Sequence, residues 1–539
     1  MLFLLAEAVV LFAQAPDWTW AKNIYGTEDE TGYSVAVDPS GNVFIAGYFG
    51  SRTLKIGSIT LTNSGAENIF IAKFDADGNA LWAKSAGGNY YDDGMSVTTD
   101  ASGNAYLTGY FGSSTITFGS TTLTNAGSYD IFLVKYDPNG NVLWAKGVGG
   151  SYEDQGSSVA VDPSGNNFVT GYFNSLTLTF GTTTVQNISE FDVFLAKYDA
   201  GGNVLWAKGA GGNNDDYAYS VAADASGNAF VAGAFDSPTI TFGTVTLTNA
   251  GGVLKNDVFI AKYDAGGNVL WAKSAGGTDD DVAYSVAADP SGNAYLTGYF
   301  SSSHITFGST VLTNTGGENI FLVKYDPNGN VIWAKNEIGV SDEANSVTTD
   351  ASGNIYVAGY FGGATSIFGT DTLTNAGTEN IFLAKYNGAG NVLWAKGAGG
   401  TGSDMAYSVA VGTSGATYLT GYFSSPTIAF GSSALTNAGS TDVFLAKAVS
   451  SLGVEDHGNS AGITLYPNPA RDAVNLETNG SWNKEFLISI YSITGQLIWS
   501  ATLAQSQKQI HLEGLESGVY IVSVRSGENT SYQKLVIRR

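Results

Sequence analysis

The chain has 539 residues, 43% hydrophobic and 12% aromatic, so it can bury a large core and is not a disordered polymer. With 70 glycines, ten prolines and no cysteine it favours short strands and tight turns over helices, and it excludes disulfides, thiolate metal sites and cysteine nucleophiles. A net charge of −24 argues against nucleic acid and anionic membranes as partners and favours cations or basic ones.

The apolar start, Leu2 to Ala15, ends in Ala13-Gln14-Ala15. It is too short to span a bilayer and reads as a secretory signal over residues 1–16. No basic segment precedes it, so a start codon is expected upstream. No other segment reads as transmembrane.

Tryptophan followed by Ala-Lys then recurs at Trp20, Trp82, Trp144, Trp206, Trp271, Trp333 and Trp394, at spacings of 62, 62, 62, 65, 62 and 61 residues. A fixed period marks a repeat architecture. In the second unit Met95–Asp100 alternates as a strand, Asp100–Asn104 turns, and Ala105–Phe111 is a second strand. Asp130–Tyr136 is a third, Asp137–Asn141 turns again, and Val142–Lys146 closes the unit. Asp opens such turns by bonding local backbone N–H groups, and Gly accepts positive φ. Four antiparallel strands, repeated seven times, predict a β-propeller. The last repeat stops at Lys447 without its Trp strand, while Trp18–Lys22 is a Trp strand without a partner. The N-terminal strand is therefore expected to close the ring. Each repeated Trp is expected to wedge against the neighbouring blade, worth at most ~4–6 kcal/mol for full burial. A row of sugar-stacking platforms is the less economical reading.

The repeated pattern S-V-A-x-D-x-S-G-N-x-[FY]-[ILV]-x-G-Y, then [DN]-[VI]-F-[IL]-[AV]-K-Y, then L-W-A-K, resembles the bacterial seven-bladed β-propeller repeat family of surface and secreted proteins. It covers residues 17–447. The resemblance implies the fold and no single activity. An insert such as Thr115–Asn125 departs from the short family unit and reads as an extra hairpin.

Alternate connections lie on opposite faces of an antiparallel blade. The short Asp-Gly-Asn turns therefore share one face, and the hairpins and blade-to-blade loops share the other. Those loops are acidic: Glu28-Asp29-Glu30, Asp92-Asp93, Glu153-Asp154, Asp215-Asp216, Asp279-Asp280-Asp281, Asp342-Glu343 and Asp404. Two readings stand. The carboxylates remain solvated, or some hold Ca²⁺, with Asp215, Asp216, Asp279, Asp280 and Asp281 as best candidates. Asp75–Asn79 looks like a calcium loop but lacks the later Glu, so it reads as a hairpin turn.

No enzyme signature assembles. His304, His457 and His511 fall in different modules, and Arg52 is the only arginine before residue 471. Gly397–Gly402 matches G-x-G-x-x-G but leads into a strand, which defeats a dinucleotide reading. Paired carboxylates for glycoside hydrolysis need distinct environments. The symmetry breaks where these are expected are Gly252–Lys255 and Gln186–Glu190.

Residues 448–462 abandon the repeat and read as a linker. From 463 to 539 alternating strands suggest an Ig-like β-sandwich. Tyr466-Pro467-Asn468-Pro469, Gly495 in Ile493–Leu497, Gly518 and Tyr520 in Leu515–Tyr520, and Lys534 resemble the C-terminal sorting domain of the type IX secretion system. The resemblance implies export across the outer membrane of a Bacteroidota-type bacterium, with the secretion machinery as partner. The expected molecule is thus all-β: a seven-bladed propeller closed by its N-terminal strand, followed by a small sandwich. Its expected role is a secreted or surface-displayed, non-catalytic binding or adhesive scaffold for a glycan or protein. The alternative is a carbohydrate-active enzyme using carboxylates of the acidic face.

Overall fold

The computed structural model describes residues 16–449 and 463–539, apart from 64, 253, 315, 479–484, 493–496, 505–508, 513 and 527–528. All but the last residue of the expected signal lies outside the described residues, as do residues 450–462 of the expected linker and Gly495. The chain divides into two units, 15–450 and 451–539. Every element of the described residues is a strand.

In the first unit the strands follow the period. After β1 (Asp17–Tyr25) come β2 (Glu30–Val37), β3 (Val43–Phe49), the hairpin strands β4 (Thr53–Ile56) and β5 (Ile59–Thr62), then β6 (Asn68–Phe74) and β7 (Ala80–Ala86). β2, β3, β6 and β7 pair in that order as an antiparallel sheet, and the same four-strand order recurs through the next five repeats. The seventh sheet contains Asp404–Val411, Thr417–Phe423 and Asp442–Val449, and its fourth strand is β1. Asp17 pairs with Val449 and Ile24 with Val443, as expected from the unpartnered Trp strands. The inserts form the expected small hairpins, Thr115–Phe118 with Thr121–Thr124 for example.

The sequence of each strand reflects its depth. β3 (VFIAGYF) and β6 (NIFIAKF) are nearly continuous apolar runs, and both are buried along almost their whole length between neighbouring sheets. β7 is largely exposed or half-buried, as an outer strand should be.

An innermost strand has one neighbour only, so every second N–H points away from the sheet. Serine resolves this. The Oγ of Ser34 accepts Val97 N–H, Ser96 accepts Val159, Ser158 accepts Val221, and Ser220 accepts Val286. Ser285 then accepts Val347, Ser346 accepts Val409, and Ser408 accepts Val35, all at 3.0–3.2 Å. The relay passes through all seven repeats and returns to its start. It explains why Ser-Val stands unchanged at this place in every repeat.

A second set of contacts ties each repeat to the next at the outer edge. Trp82 Nε1–H and Lys73 Nζ both donate to the carbonyl of Pro138 in the following repeat, at 3.1 and 3.2 Å. Trp144, Trp206, Trp271 and Trp333 do the same to Ala200, Ala265, Pro327 and Gly388. Each indole lies over a turn glycine. At Gly140, φ is +80° and an added Cβ would stand 2.9 Å from the Trp82 ring, so both backbone and packing require glycine there. Each repeated indole thus wedges against the neighbouring repeat, though most fall short of the full burial that the upper estimate assumes. Of the seven repeated tryptophans only Trp271 and Trp394 are fully buried, and the others keep partial exposure.

The junction of the sixth and seventh sheets breaks this pattern. The seventh sheet is completed by β1, so no turn joins its third and fourth strands. Trp394 consequently has no carbonyl to meet, and its Nε1 is buried without a partner. Trp20 Nε1 is likewise unpartnered.

In the second unit, taken alone, Ile463–Tyr466, Ala473–Thr478 and Gln509–His511 form one sheet. Leu497–Ala504, Glu485–Ser492, Gly518–Ser526 and Asn529–Ile537 form another. Both contribute to one core that includes Val474, Leu476, Ile488, Val522 and Leu535. The Tyr466–Pro469 segment sits at the last strand, where Asn468 Oδ1 accepts Val536 N–H at 2.8 Å. Gly518 pairs with Ile537 and Lys534 with Ile521 in that sheet, and Tyr520 Oη donates to Glu516 O at 3.0 Å.

Candidate ligand-binding face

The acidic loops lead into the innermost strands, and the acid that begins each strand is not solvated. Glu30, Asp92, Asp154, Asp216, Asp281, Asp342 and Asp404 are 0–1% exposed. Each ties down its own loop. Asp92 accepts Gly88 N–H and the Ser113 hydroxyl at 2.8 and 2.7 Å; Asp154 does the same with Gly150 and Ser175, and Asp404 with Gly400 and Ser425. Asp281 accepts Ser302 Oγ, and Asp216 accepts Ser237 Oγ. Burial pushes Glu30 up to about 7, Asp281 to about 7 and Asp216 to about 8. The expectation of solvated carboxylates is corrected for these seven acids, because an oxygen that bonds loop N–H and Ser groups is withdrawn from solvent; Glu28, Asp29 and Asp279 are exposed as expected.

The residues proposed for Ca²⁺ are not gathered. Asp216 and Asp281 occupy separate buried loops. Asp215 Oδ1 accepts Phe191 N–H at 3.3 Å. Asp280 and Asp279 meet the ammonium of Lys255 at 2.8 and 3.8 Å. Burial works against ionisation of Asp280, but bonds from Lys255 and Asn256 outweigh it and hold the carboxyl below its ordinary range. Among the described residues, no three His, Asp or Glu side chains are grouped as for a metal. In the Asp75 turn the carboxylate accepts the N–H groups of Asp77 and Asn79, so it is a hairpin turn as expected.

The short-turn face offers a cavity of about 420 Å³ lined by Asp100, Asp162, Asp224, Asp289 and Asp350. These carboxylates are committed. Asp100, Asp162, Asp224 and Asp350 meet Lys135, Lys197, Lys262 and Lys385 at 3.3–3.6 Å, and each also bonds its own turn.

The acidic face differs. Its innermost strands carry a constant acid, a small residue, Ser and Val, but the positions between them vary. The residue after the first acid is Thr31, Asp93, Gln155, Tyr217, Val282, Glu343 or Met405 in successive repeats. Two residues on stand Tyr33, Met95, Ser157, Tyr219, Tyr284, Asn345 and Tyr407. A bulge just before the constant Ser, as between Gly32 and Ser34, re-aims this segment. Tyrosines collect here. Tyr48, Tyr33, Tyr407 and Tyr422 form a chain with centroids 5.7, 5.4 and 5.8 Å apart, bridging the first and seventh repeats. Tyr172, Tyr217, Tyr219, Tyr284 and Tyr299 form another at 4.8, 6.0, 5.6 and 5.7 Å, through the third to fifth. All these rings are half-buried. Glu343 lies beside Tyr360 and Tyr284, and burial raises its carboxyl above the ordinary range. Sequence reasoning missed this belt. Its signal was present, in the Tyr of Gly-Tyr-Phe and of Ala-Tyr-Ser.

Comparison with known proteins agrees with the two units. Residues 464–538 match the family model of the secretion system C-terminal sorting domain, and residues 270–302 match that of the beta-propeller repeat. A WD repeat-containing protein of Acanthamoeba polyphaga mimivirus is 28% identical over 504 residues, covering 76% of this chain and 36% of that protein. Regulatory protein FlaEY of Caulobacter vibrioides is 30% identical over 141 residues, 26% of this chain and 15% of that one. The chain thus spans little more than a third of the longer match. Among solved structures, a calcium-binding regucalcin of Agrobacterium tumefaciens is 13% identical with a TM-score of 0.30, covering 66% of this chain and 90% of its own. A Synechocystis apocarotenoid oxygenase is 11% identical with a TM-score of 0.34, covering 77% and 90%. Likenesses at this distance transfer no activity.

Proposed function

We propose that the chain is a seven-bladed β-propeller, closed by its N-terminal strand, and that its C-terminal unit is an Ig-like β-sandwich. The sandwich directs export by the type IX secretion machinery of a Bacteroidota-type bacterium. The propeller is then released or held at the outer membrane, and serves as a non-catalytic binding or adhesive scaffold. Its ligand, a glycan or protein, meets the tyrosine-lined mouth of the acidic face. The Ser relay and the pairing of β1 with Asp442–Val449 support the closed ring.

One observation carries the binding reading. Seven near-identical repeats differ at the two positions that flank the small residue after the constant acid, and there and on the adjoining strand they present half-buried tyrosines, with carboxylates such as Glu343 among them. Tyrosine supplies contact area at low entropic cost, with a hydroxyl for direction. The enzyme alternative has one observation to draw on, the contact between Asp93 and Glu67. Two carboxyls in hydrogen-bond contact are closer than the ~5 Å or more that glycoside hydrolysis uses. The test is an array of bacterial and host glycans and matrix proteins, probed with the full chain and a Tyr219→Ala/Tyr284→Ala variant. Saturable binding that the variant loses, with an unchanged melting temperature and no reducing-end release, is expected. Turnover of any bound glycan overturns the non-catalytic reading.

A further inference from the structure

The third repeat departs from the other six at the base of its inserted hairpin (Thr177–Phe180 with Thr183–Gln186). In every repeat an Asn N–H closes this base on a backbone carbonyl, which fixes the alignment of the repeats by structure. The carbonyl belongs to Leu176 here and to Arg, Ser, Pro or Ala elsewhere, so Leu176 is the only large aliphatic side chain of the seven. Ile188 follows the closing Asn187, where other repeats carry Ser, Ala or Thr.

Both side chains face water: Leu176 is 77% exposed and Ile188 62%. They also have apolar company. Tyr152, 56% exposed, donates its N–H to the Oγ of Ser175, next to Leu176, at 3.0 Å. Half-buried Phe191 continues the surface inward, with its ring 5.3 Å from Tyr172 and 5.6 Å from Tyr217 of the tyrosine belt. Single exposed apolar residues are ordinary, whereas a contiguous group of them marks an interaction site. The leucines of the outer strands are about half exposed too, but they recur one to a repeat as part of the shared scaffold. The loop that carries Ile188 is set in advance. Glu190 is held at φ +51°, Asn187 Nδ2 donates to its carbonyl at 2.7 Å, and Ile188 N–H donates to Asp192 at 2.6 Å. A surface ordered beforehand loses less entropy on binding.

Charge and shape select the occupant. The patch is bordered by exposed Glu190 and half-buried Glu153. The chain has no Lys or Arg between Lys84 and Lys135 or between Lys146 and Lys197. Lys135 and Lys197 are themselves buried against Asp100 and Asp162 at the short turns. The border is therefore acidic and lacks a cation of its own. Leu and Ile offer a sugar neither a flat ring nor a polar partner, but they pack well against apolar side chains. A second copy, at a net charge of −24, brings its own acids against these. We propose that Tyr152, Leu176, Ile188 and Phe191 dock a protein partner that presents aliphatic side chains bordered by lysine or arginine. The proposal rests on the reading of the acidic face as a binding surface and chooses protein over glycan for this part of it.

The experiment is calorimetric titration of the full chain at physiological salt with three acetyl-capped peptides of equal length and pattern, built from Leu and Lys, from Leu and Glu, and from Ser and Lys. The Leu/Lys peptide should bind saturably, the Leu/Glu peptide at least tenfold more weakly, and the Ser/Lys peptide without saturation. Leu176→Ser/Ile188→Ser should weaken the Leu/Lys peptide about tenfold or more. Leu205→Ser/Leu270→Ser, which strips two half-exposed leucines from outer strands, should change it less than twofold. Melting temperatures establish that each variant is folded. Absence of saturable Leu/Lys binding, equal binding of either other peptide, or equal losses in the two double variants overturns the proposal. So does a dimer in sedimentation, or adhesion to phosphatidylcholine vesicles, that Leu176→Ser/Ile188→Ser abolishes, since the occupant is then a second copy or a lipid surface. If array ligands depend on Tyr219 and Tyr284 while the Leu/Lys peptide does not bind, this inference falls and the scaffold reading stands.

Discussion

The buried carboxylates make the stability of the first unit depend on pH in a direction that one substitution tests. Four junctions between repeats seat two acids near each other: Asp130 with Asp154, Asp192 with Asp216, Asp257 with Asp281, and Asp442 with Glu30. At the other three, the first position is Asn68, Asn319 or Asn380. Asp192 is 2% exposed, its Oδ2 accepts Ile188 N–H, and its Oδ1 has no donor. Burial pushes it up to about 7, and burial followed by the charge of Asp192 pushes Asp216 to about 8. Folded values raised above the ordinary 3.8 mean that the folded chain holds these protons more tightly than the unfolded one. Their stabilisation is complete below the unfolded value and is lost as pH rises through 7 to 8. A rise of ~3 units is worth at most ~4 kcal/mol at 1.36 kcal/mol per unit. Relaxation and water entry reduce that to about 1–2 kcal/mol. Asp192→Asn removes the titration and keeps the shape. An amide is accommodated at this place in the fifth repeat, where Asn319 Nδ2 donates to Gly316 O and Gly339 O at 3.1 and 3.2 Å. Thermal melts at pH 5 and pH 8 supply the check. The wild-type chain should melt lower at pH 8 than at pH 5. The variant should melt roughly 1–2 °C above wild type at pH 8 and by a smaller margin at pH 5. A variant that melts below wild type at pH 8, or that keeps the full wild-type pH dependence, refutes the reasoning.

The unequal tryptophans give a second test. Trp82→Phe should cost about 1 kcal/mol through the lost bond to Pro138, whereas Trp394→Phe removes an unsatisfied N–H and should cost nothing or stabilise. Equal losses by denaturant unfolding would contradict the assignment. Ser220→Ala, which strips the acceptor from Val286 N–H, should cost ~1–3 kcal/mol by the same assay. Lys197→Met leaves the Asp162 carboxylate buried and should cost ~3–5 kcal/mol, while Lys255→Met at the exposed pair should cost under ~1 kcal/mol. Because Lys255 already occupies Asp280, and Asp216 and Asp281 are spent on their own loops, the melting temperature should be the same in EDTA and in millimolar Ca²⁺. An upward shift with Ca²⁺ would restore the metal reading.

The repeat length, the strands, the small hairpins and the pairing of β1 with Asp442–Val449 were all legible in the sequence. Each follows from local alternation, from turn chemistry, or from a strand missing at one end and supplied at the other. The sorting-domain motif was legible for the same reason, since its residues stand in order along the chain. Three features were not. The acidic loops look solvated in the sequence, because a charge does not reveal that Ser113, 21 residues beyond Asp92, bends back to receive it. The tyrosine belt is written into every repeat, yet only the bulge before the constant Ser and the approach of neighbouring repeats decide which rings meet. Trp394 is indistinguishable from Trp82 along the chain, and it loses its acceptor only because the strand beyond it comes from the other end of the protein. Short-range pattern sets the elements, since backbone geometry and alternation act within a few residues. Burial, proton affinity and unmet hydrogen bonds belong to the assembled fold, because each depends on atoms that only the tertiary structure brings within reach.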